Sequence, residues 1–145
     1  VKPPSSTLVL DANVLIAAAR GRSSGALLAV AGAATLVTTD RVVQEVRRRI
    51  ELGLKQPELL AVVTELLRDI TVVPVAALAP ILPPAEIALR DAVPSRNGST
   101  QDAHVLGLAW SVDGDVWTTD RDFAGTGVAT WSTRNLLSAI AQQAV

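Results

Sequence analysis

The sequence predicts an α/β fold: a three-layer sandwich with helices on both faces of a central, mostly parallel five-stranded sheet. Three observations predict it. Five short runs of strand-forming residues alternate with helical stretches along the chain. No hairpin signal joins the early strands, so each return has to cross over through a helix, and right-handed crossovers place helices on both faces. Finally, apolar runs end in acids: Leu8-Val9-Leu10 leads into Asp11, Thr35 to Thr39 into Asp40, and Val116-Trp117-Thr118-Thr119 into Asp120. Those acids fall on one rim of a parallel sheet, where α/β proteins bind ligands.

Taken in order, Val1 to Ser6 reads as a disordered lead-in with paired prolines and serines. Thr7–Leu10 is the first strand, too short for a helix. Asn13 to Ala19 is helical, Arg20 to Gly25 a loop, and Ala26 to Ala31 a small helix closed by Gly32. Thr35–Thr39 is the second strand, and Asp40 is placed to cap the next helix. From Arg41 to Leu52, Val42, Val43, Val46 and Ile50 recur at helical spacing, with Glu45 at the margin of that face. Pro57 to Arg68 is a second amphipathic helix, with proline suited to its first turn.

Ile70 to Val75 is the third strand. Pro80, Pro83 and Pro84 form a connector, followed by a helix over Ala85 to Val93. After the loop Pro94 to Gly98, Ser99 or Thr100 opens a helix to about Val112. Asp113-Gly114 turns the chain into the fourth strand, Val116 to Thr119. Val128 to Trp131 is the fifth, and Ser132 or Thr133 caps a final helix from Arg134.

At 145 residues the chain is read as a single domain spanning 1–145, long enough to bury a core. Hydrophobic residues make up 49% but aromatic ones only 3%, so that core is built of Ala, Val, Leu and Ile. Cysteine is absent, which excludes disulfides, thiolate zinc sites and a Cys nucleophile. No apolar stretch approaches the length of a membrane span, and no signal peptide is expected, which together predict a cytoplasmic protein. The net charge of −1 gives no global attraction to nucleic acid, so contacts to it have to be local.

Each acid has a structural reading. Asp11 and Asp40 suit helix N-caps. Glu45 can pair with Arg49 at i,i+4. Asp102 can complete a capping box with Ser99, and Asp120 and Asp122 can shape a turn. The constellation has a different meaning. Asp11, Asp102 and Asp120 come from three elements whose ends the topology gathers, and clustered carboxylates repel unless a cation neutralises them. With no Cys and His104 the single histidine, an oxygen-bound Mg²⁺ or Mn²⁺ suits the set, and a hard divalent ion suits phosphodiester chemistry.

The motif Leu-Val-Leu-Asp11-Ala-Asn13-Val-Leu-Ile, Glu45 in the helix after the second strand, Asp102 in Gln-Asp-Ala-His-Val-Leu-Gly-Leu-Ala, and Thr-Thr-Asp120-Arg-Asp122-Phe together resemble the PIN-domain ribonucleases. These include the VapC-type toxins of toxin–antitoxin pairs. The resemblance covers nearly the whole chain and implies a PIN-like, Mg²⁺- or Mn²⁺-dependent endoribonuclease. It places Asp11, Glu45, Asp102 and Asp120 as an acidic quartet, Asp122 as a further acid, and Asn13 and Thr119 as polar supports. It also implies a homodimer and a cognate antitoxin whose tail enters the acidic groove. The segment Leu78 to Pro84 matches no family motif.

On that reading Asp11, Asp102 and Asp120 bind metal, and Glu45 orients or deprotonates the attacking water or holds a second ion. Arg20, Arg22, Arg96 and Arg121 lie in or beside loops and are assigned to the RNA backbone. Arg47-Arg48-Arg49 reads as a solvated helix face, His104 as structural, and the tryptophans as core. Two alternatives stay open. One is a non-catalytic PIN-like module binding RNA or protein. The other is a phosphatase of the haloacid-dehalogenase type, disfavoured because Asn13 stands where that family needs a second Asp and because Lys2 and Lys55 are the only lysines.

Overall fold

A computed structural model describes residues 2–22, 24–91, 100–119, 123 and 125–143. Strand β1 (Thr7–Leu10) is the centre of a five-stranded sheet in the order β3-β2-β1-β4-β5, where β2 is Thr35–Thr39, β3 Ile70–Val73, β4 Asp115–Trp117 and β5 Thr130–Trp131. Every pairing is parallel. The chain builds outward from β1 to β2 and β3, then returns across β1 to lay down β4 and β5. The strand order therefore reverses between β1 and β4, and the crevice at the carboxyl end of such a reversal is the ligand position of open α/β sheets.

The central position of β1 explains its composition. Leu8, Val9 and Leu10 are completely buried, because helices cover both faces of a parallel sheet and leave no side for a polar residue. Each such side chain contributes about 1.5–3 kcal/mol relative to exposure. Beside it, Leu36, Val37, Val116 and Trp117 continue the core.

Helix α1 (Ala12–Ala19) leaves the rim directly after β1 and is followed by α2 (Ser24–Ala31). Helix α3 (Asp40–Arg48) leaves the rim after β2 and runs on into a π-helical segment, Arg49–Gly53. Val42, Val43, Val46 and Ile50 are buried, as their spacing predicts. Helix α4 (Leu59–Leu66) ends in a 3₁₀ turn at Leu67–Asp69. Helices α5 (Leu82–Arg90), α6 (Ala103–Val112) and α7 (Thr133–Gln143) complete the set among the described residues.

Helix α6 runs antiparallel to the strands. At its C-terminal end, Asp113 takes a left-handed conformation with φ 51°. Gly114 then lies so close to the base of β1 that a Cβ there would stand 2.7 Å from the Thr7 carbonyl oxygen. At the other end, His104 meets the C-terminal residue of β2. The N-terminus of α6 is therefore delivered to the acidic rim.

Several expectations need correction. The lead-in is tied down at its end: the Ser5 amide donates to Asp115 Oδ2 at 2.9 Å and the Thr35 amide to the Ser6 carbonyl at 2.8 Å. Strand β3 stops at Val73, before Pro74, which has no N–H to give a ladder. Pro83 and Pro84 belong to the first turn of α5 rather than to a connector, since N–H groups there have no intrahelical acceptor to lose. Helix α6 starts at Ala103, later than Ser99 or Thr100. Thr39, not Asp40, caps α3: its Oγ1 accepts the Val42 amide at 3.0 Å. Asp40 instead accepts the Val75 amide at 2.9 Å.

Candidate active site

Asp11 is the focus of the reversal crevice. Its side chain is 6% exposed although it carries a carboxylate. Oδ1 accepts the Ala12 amide at 2.7 Å at the N-terminus of α1, and Oδ2 accepts the Thr118 hydroxyl at 2.8 Å. The backbone is held as well, the Asp11 amide donating to the Trp117 carbonyl at 3.2 Å. A buried carboxylate is stable only when hydrogen bonds or a cation replace its hydration, and here the donors come from two different elements.

The tetrapeptide Thr-Thr-Asp-Arg occurs twice in the sequence, at 38–41 and 118–121. The first copy begins in the last two residues of β2 and the second begins just after β4, the strands on either side of β1. The first threonine of each turns toward the end of β1: Thr38 Oγ1 donates to the Leu10 carbonyl at 2.8 Å, and Thr118 Oγ1 to the Asp11 carboxylate. Both are buried. The second threonines differ, since Thr39 is buried and caps α3 whereas Thr119 is exposed.

The hydroxyl that reaches Asp11 is thus that of Thr118, not Thr119. The usable signal was the repetition itself, together with the alternation of a strand. Because Leu10 stands opposite Trp117, the next residues, Asp11 and Thr118, are neighbours.

Asp102 occupies the N-cap position of α6, half-buried, with its carbonyl accepting the Val105 and Leu106 amides at 3.0 and 3.2 Å. Its side chain does not cap the amides of α6, and Ser99, the other half of the expected capping box, lies outside the described residues. Two residues on, His104 Nδ1 is 2.8 Å from Thr39 Oγ1, which fixes the start of α6 against the end of β2, the strand next to Asp11. Burial is the main cause that lowers the His104 pKa from 6.5 to about 4. The charge of Arg41 adds to the lowering and Asp40 partly opposes it. The imidazole is therefore neutral near pH 7, in keeping with a structural role.

Glu45 is half-buried in the second turn of α3. No ion pair joins it to Arg49 among the described residues. The Arg49 guanidinium turns instead to Asn13, its Nη1 donating to Oδ1 at 2.8 Å. Asn13 is the second residue of α1, so this bond links the helix that starts at Asp11 to the extension of the helix that carries Glu45.

Among the described residues, no three Asp, Glu or His side chains gather into a group able to hold a metal ion. Asp120, Arg121, Asp122 and Arg96 lie outside those residues. Arg20 and Arg22 are exposed just past the C-terminal end of α1. An eight-residue helix is about 12 Å long at about 1.5 Å per residue, so both stand a helix length from Asp11 rather than on the rim. Trp117 is fully buried, and Trp110 and Trp131 are half-buried.

The model of the PIN domain matches residues 9–141 of this chain, a span that begins inside β1 and ends inside α7. The chain belongs to the PIN-domain family. PIN domains are generally nucleases that use divalent metal ions to act on nucleic acids. The five-stranded parallel sheet is the α/β sandwich expected of a PIN domain. No curated protein matches the chain significantly. No helix among the described residues is long and apolar enough to cross a membrane.

The donor chemistry of this PIN domain fits a hard ion. The side chains at the rim offer carboxylate oxygens, cysteine is absent, and the one histidine is engaged with Thr39.

Proposed function

We propose that this PIN domain is a Mg²⁺- or Mn²⁺-dependent endoribonuclease and the toxin of a type II toxin–antitoxin pair. The observation that carries the nuclease reading is the buried Asp11 carboxylate, held by the Ala12 amide and the Thr118 hydroxyl at the point where strand order reverses. Asp11, Asp102 and Asp120 would hold the ion, with Asn13 and Asp122 in supporting roles. A divalent ion there neutralises the carboxylates, acidifies a water and stabilises charge on the phosphate oxygens.

The protein's own groups do the rest. Glu45, in the second turn of α3 and without a paired arginine among the described residues, takes the proton of the attacking water. Thr118 positions Asp11 through its hydroxyl, and Arg121, between Asp120 and Asp122 in the sequence, meets RNA phosphates. A cognate antitoxin and a second copy of the chain are the protein partners. Leu28 and Leu52, both 68% exposed, are apolar surface that a partner can cover.

The test is cleavage of a labelled single-stranded RNA by purified protein with Mg²⁺ or Mn²⁺. EDTA should abolish cleavage, and Asp11→Asn and Glu45→Gln should each reduce it by about 10²–10⁴-fold while the fold is retained. Cleavage that survives both EDTA and Asp11→Asn would overturn the reading. A folded protein that binds RNA without cleaving it under any metal would favour the binding-module alternative.

A further inference from the structure

The sequence offers Arg47-Arg48-Arg49 as one run, but the structure separates its members. Successive residues on a helix diverge by about 100°. Arg48 and Arg49 lie one turn beyond Glu45, at i+3 and i+4, and of the three only Arg49 makes a side-chain hydrogen bond among the described residues. Arg49 opens the π-helical segment, its carbonyl accepting the Leu54 amide at 2.8 Å in a wide turn. Such segments are rare and frequent at functional sites. Its guanidinium reaches across to α1 and donates to Asn13 Oδ1 at 2.8 Å, two residues from Asp11. The residue is exposed, and no described carboxylate lies within ion-pair distance of it. An arginine one turn from a glutamate thus forgoes the ion pair for a neutral amide. Its position is fixed while its charge is left uncompensated by the described carboxylates.

We propose that Arg49 is a phosphodiester-binding residue, held by Asn13 at the mouth of the acidic crevice, which takes an RNA backbone phosphate next to the scissile one. This rests on the ribonuclease reading. A guanidinium has five N–H donors in a planar fork that matches phosphate oxygens. Asn13 engages one branch of that fork, which orients the group without neutralising it. RNA approaching a set of carboxylates meets repulsion, and a positioned cation beside them offsets it for the flanking phosphate. Binding part of the substrate away from the reacting bond fixes the register of the remainder.

The rival explanation is a clip between α1 and the extension of α3, and Arg49→Gln separates the two. Gln ends two bonds short of Nη1 and carries no charge, so loss of a clip alone would lower stability in urea without changing the salt slope, whereas loss of a phosphate contact would reduce the slope. Binding of a fluorescein-labelled single-stranded RNA is measured by anisotropy in EDTA for wild type, Arg49→Gln, Arg49→Lys and the neighbouring Arg47→Gln, across a salt series.

Losing one phosphate contact should reduce the slope of log K against log salt by about 0.7. Raising salt from about 50 to 200 mM would then weaken wild-type binding roughly threefold more than that of Arg49→Gln. Arg49→Lys should keep the slope but bind more weakly, and Arg47→Gln should match wild type. In cleavage assays the Arg49→Gln loss should appear mainly in KM.

If wild-type binding shows no salt dependence, the RNA reading falls and takes this inference with it. If wild type binds RNA with a salt slope that Arg49→Gln shares, only the assignment of Arg49 falls. The same holds if Arg47→Gln changes the slope equally.

Discussion

Replacing Thr118 by valine removes one hydroxyl from the fold and little else, because the two side chains have nearly the same shape. That hydroxyl is the 2.8 Å donor to Asp11 Oδ2, and both residues are buried. A hydrogen bond to a charged group contributes about 1.5–3 kcal/mol, and with Asp11 6% and Thr118 3% exposed little solvent replaces it. Thr118→Val in EDTA should therefore cost about 2 kcal/mol in urea unfolding, with m unchanged. For a chain of this length that is roughly a 6–7 °C fall in Tm. Thr118→Ser keeps the donor and loses one buried methyl, for about 1 kcal/mol.

The decisive number is the coupling in a double-mutant cycle between Thr118→Val and Asp11→Ala, expected at about 1.5–3 kcal/mol. EDTA is needed because any ion held by Asp11 would stabilise the folded state by mass action. A coupling below about 0.5 kcal/mol, within the usual additivity of independent sites, would refute the claim that Thr118 positions Asp11.

Three other outcomes are expected. The His104 pKa is lowered to about 4 in the fold against 6.5 unfolded, so the unfolded state binds the proton first as pH falls. Stability should drop by about 2 kcal/mol between pH 7 and pH 5 in EDTA, and most of that slope should vanish in His104→Gln; an unchanged slope would contradict the neutral buried imidazole. Gly114→Ala should destabilise by about 1–3 kcal/mol, because the added methyl would stand 2.7 Å from the Thr7 carbonyl oxygen, a backbone atom that cannot move alone. Gly107→Ala should be far milder in the same urea titration, since its nearest obstacle at 3.0 Å is the Ile81 side chain and alanine gains about 1 kcal/mol of helix propensity.

Much of this PIN domain was legible in the sequence. Strands β1 and β2 have the bounds their composition predicts, and the buried face of α3 follows its periodicity. These features are local. A four-residue run of apolar residues has to be buried wherever it lies, and a spacing of three and four has to present one helix face. The buried Asp11 was legible for a related reason, since a carboxylate that ends a buried strand stands out against its neighbours.

What the sequence left open was set by long-range pairing. Thr118 and Thr119 are equivalent in composition. Only the register that puts Leu10 opposite Trp117 turns Thr118 to Asp11 and leaves Thr119 exposed, because one residue of slip reverses every side chain in a strand. Glu45 and Arg49 looked like a surface pair until the arrival of α1 gave the guanidinium another acceptor. The two Thr-Thr-Asp-Arg segments looked like one motif used twice. Strand order decided that they flank β1, with one threonine on the Leu10 backbone and the other on the Asp11 carboxylate. The sequence supplied the carboxylate and two similar hydroxyls, and the tertiary structure chose which hydroxyl it would hold, because that choice depends on a partner 107 residues away.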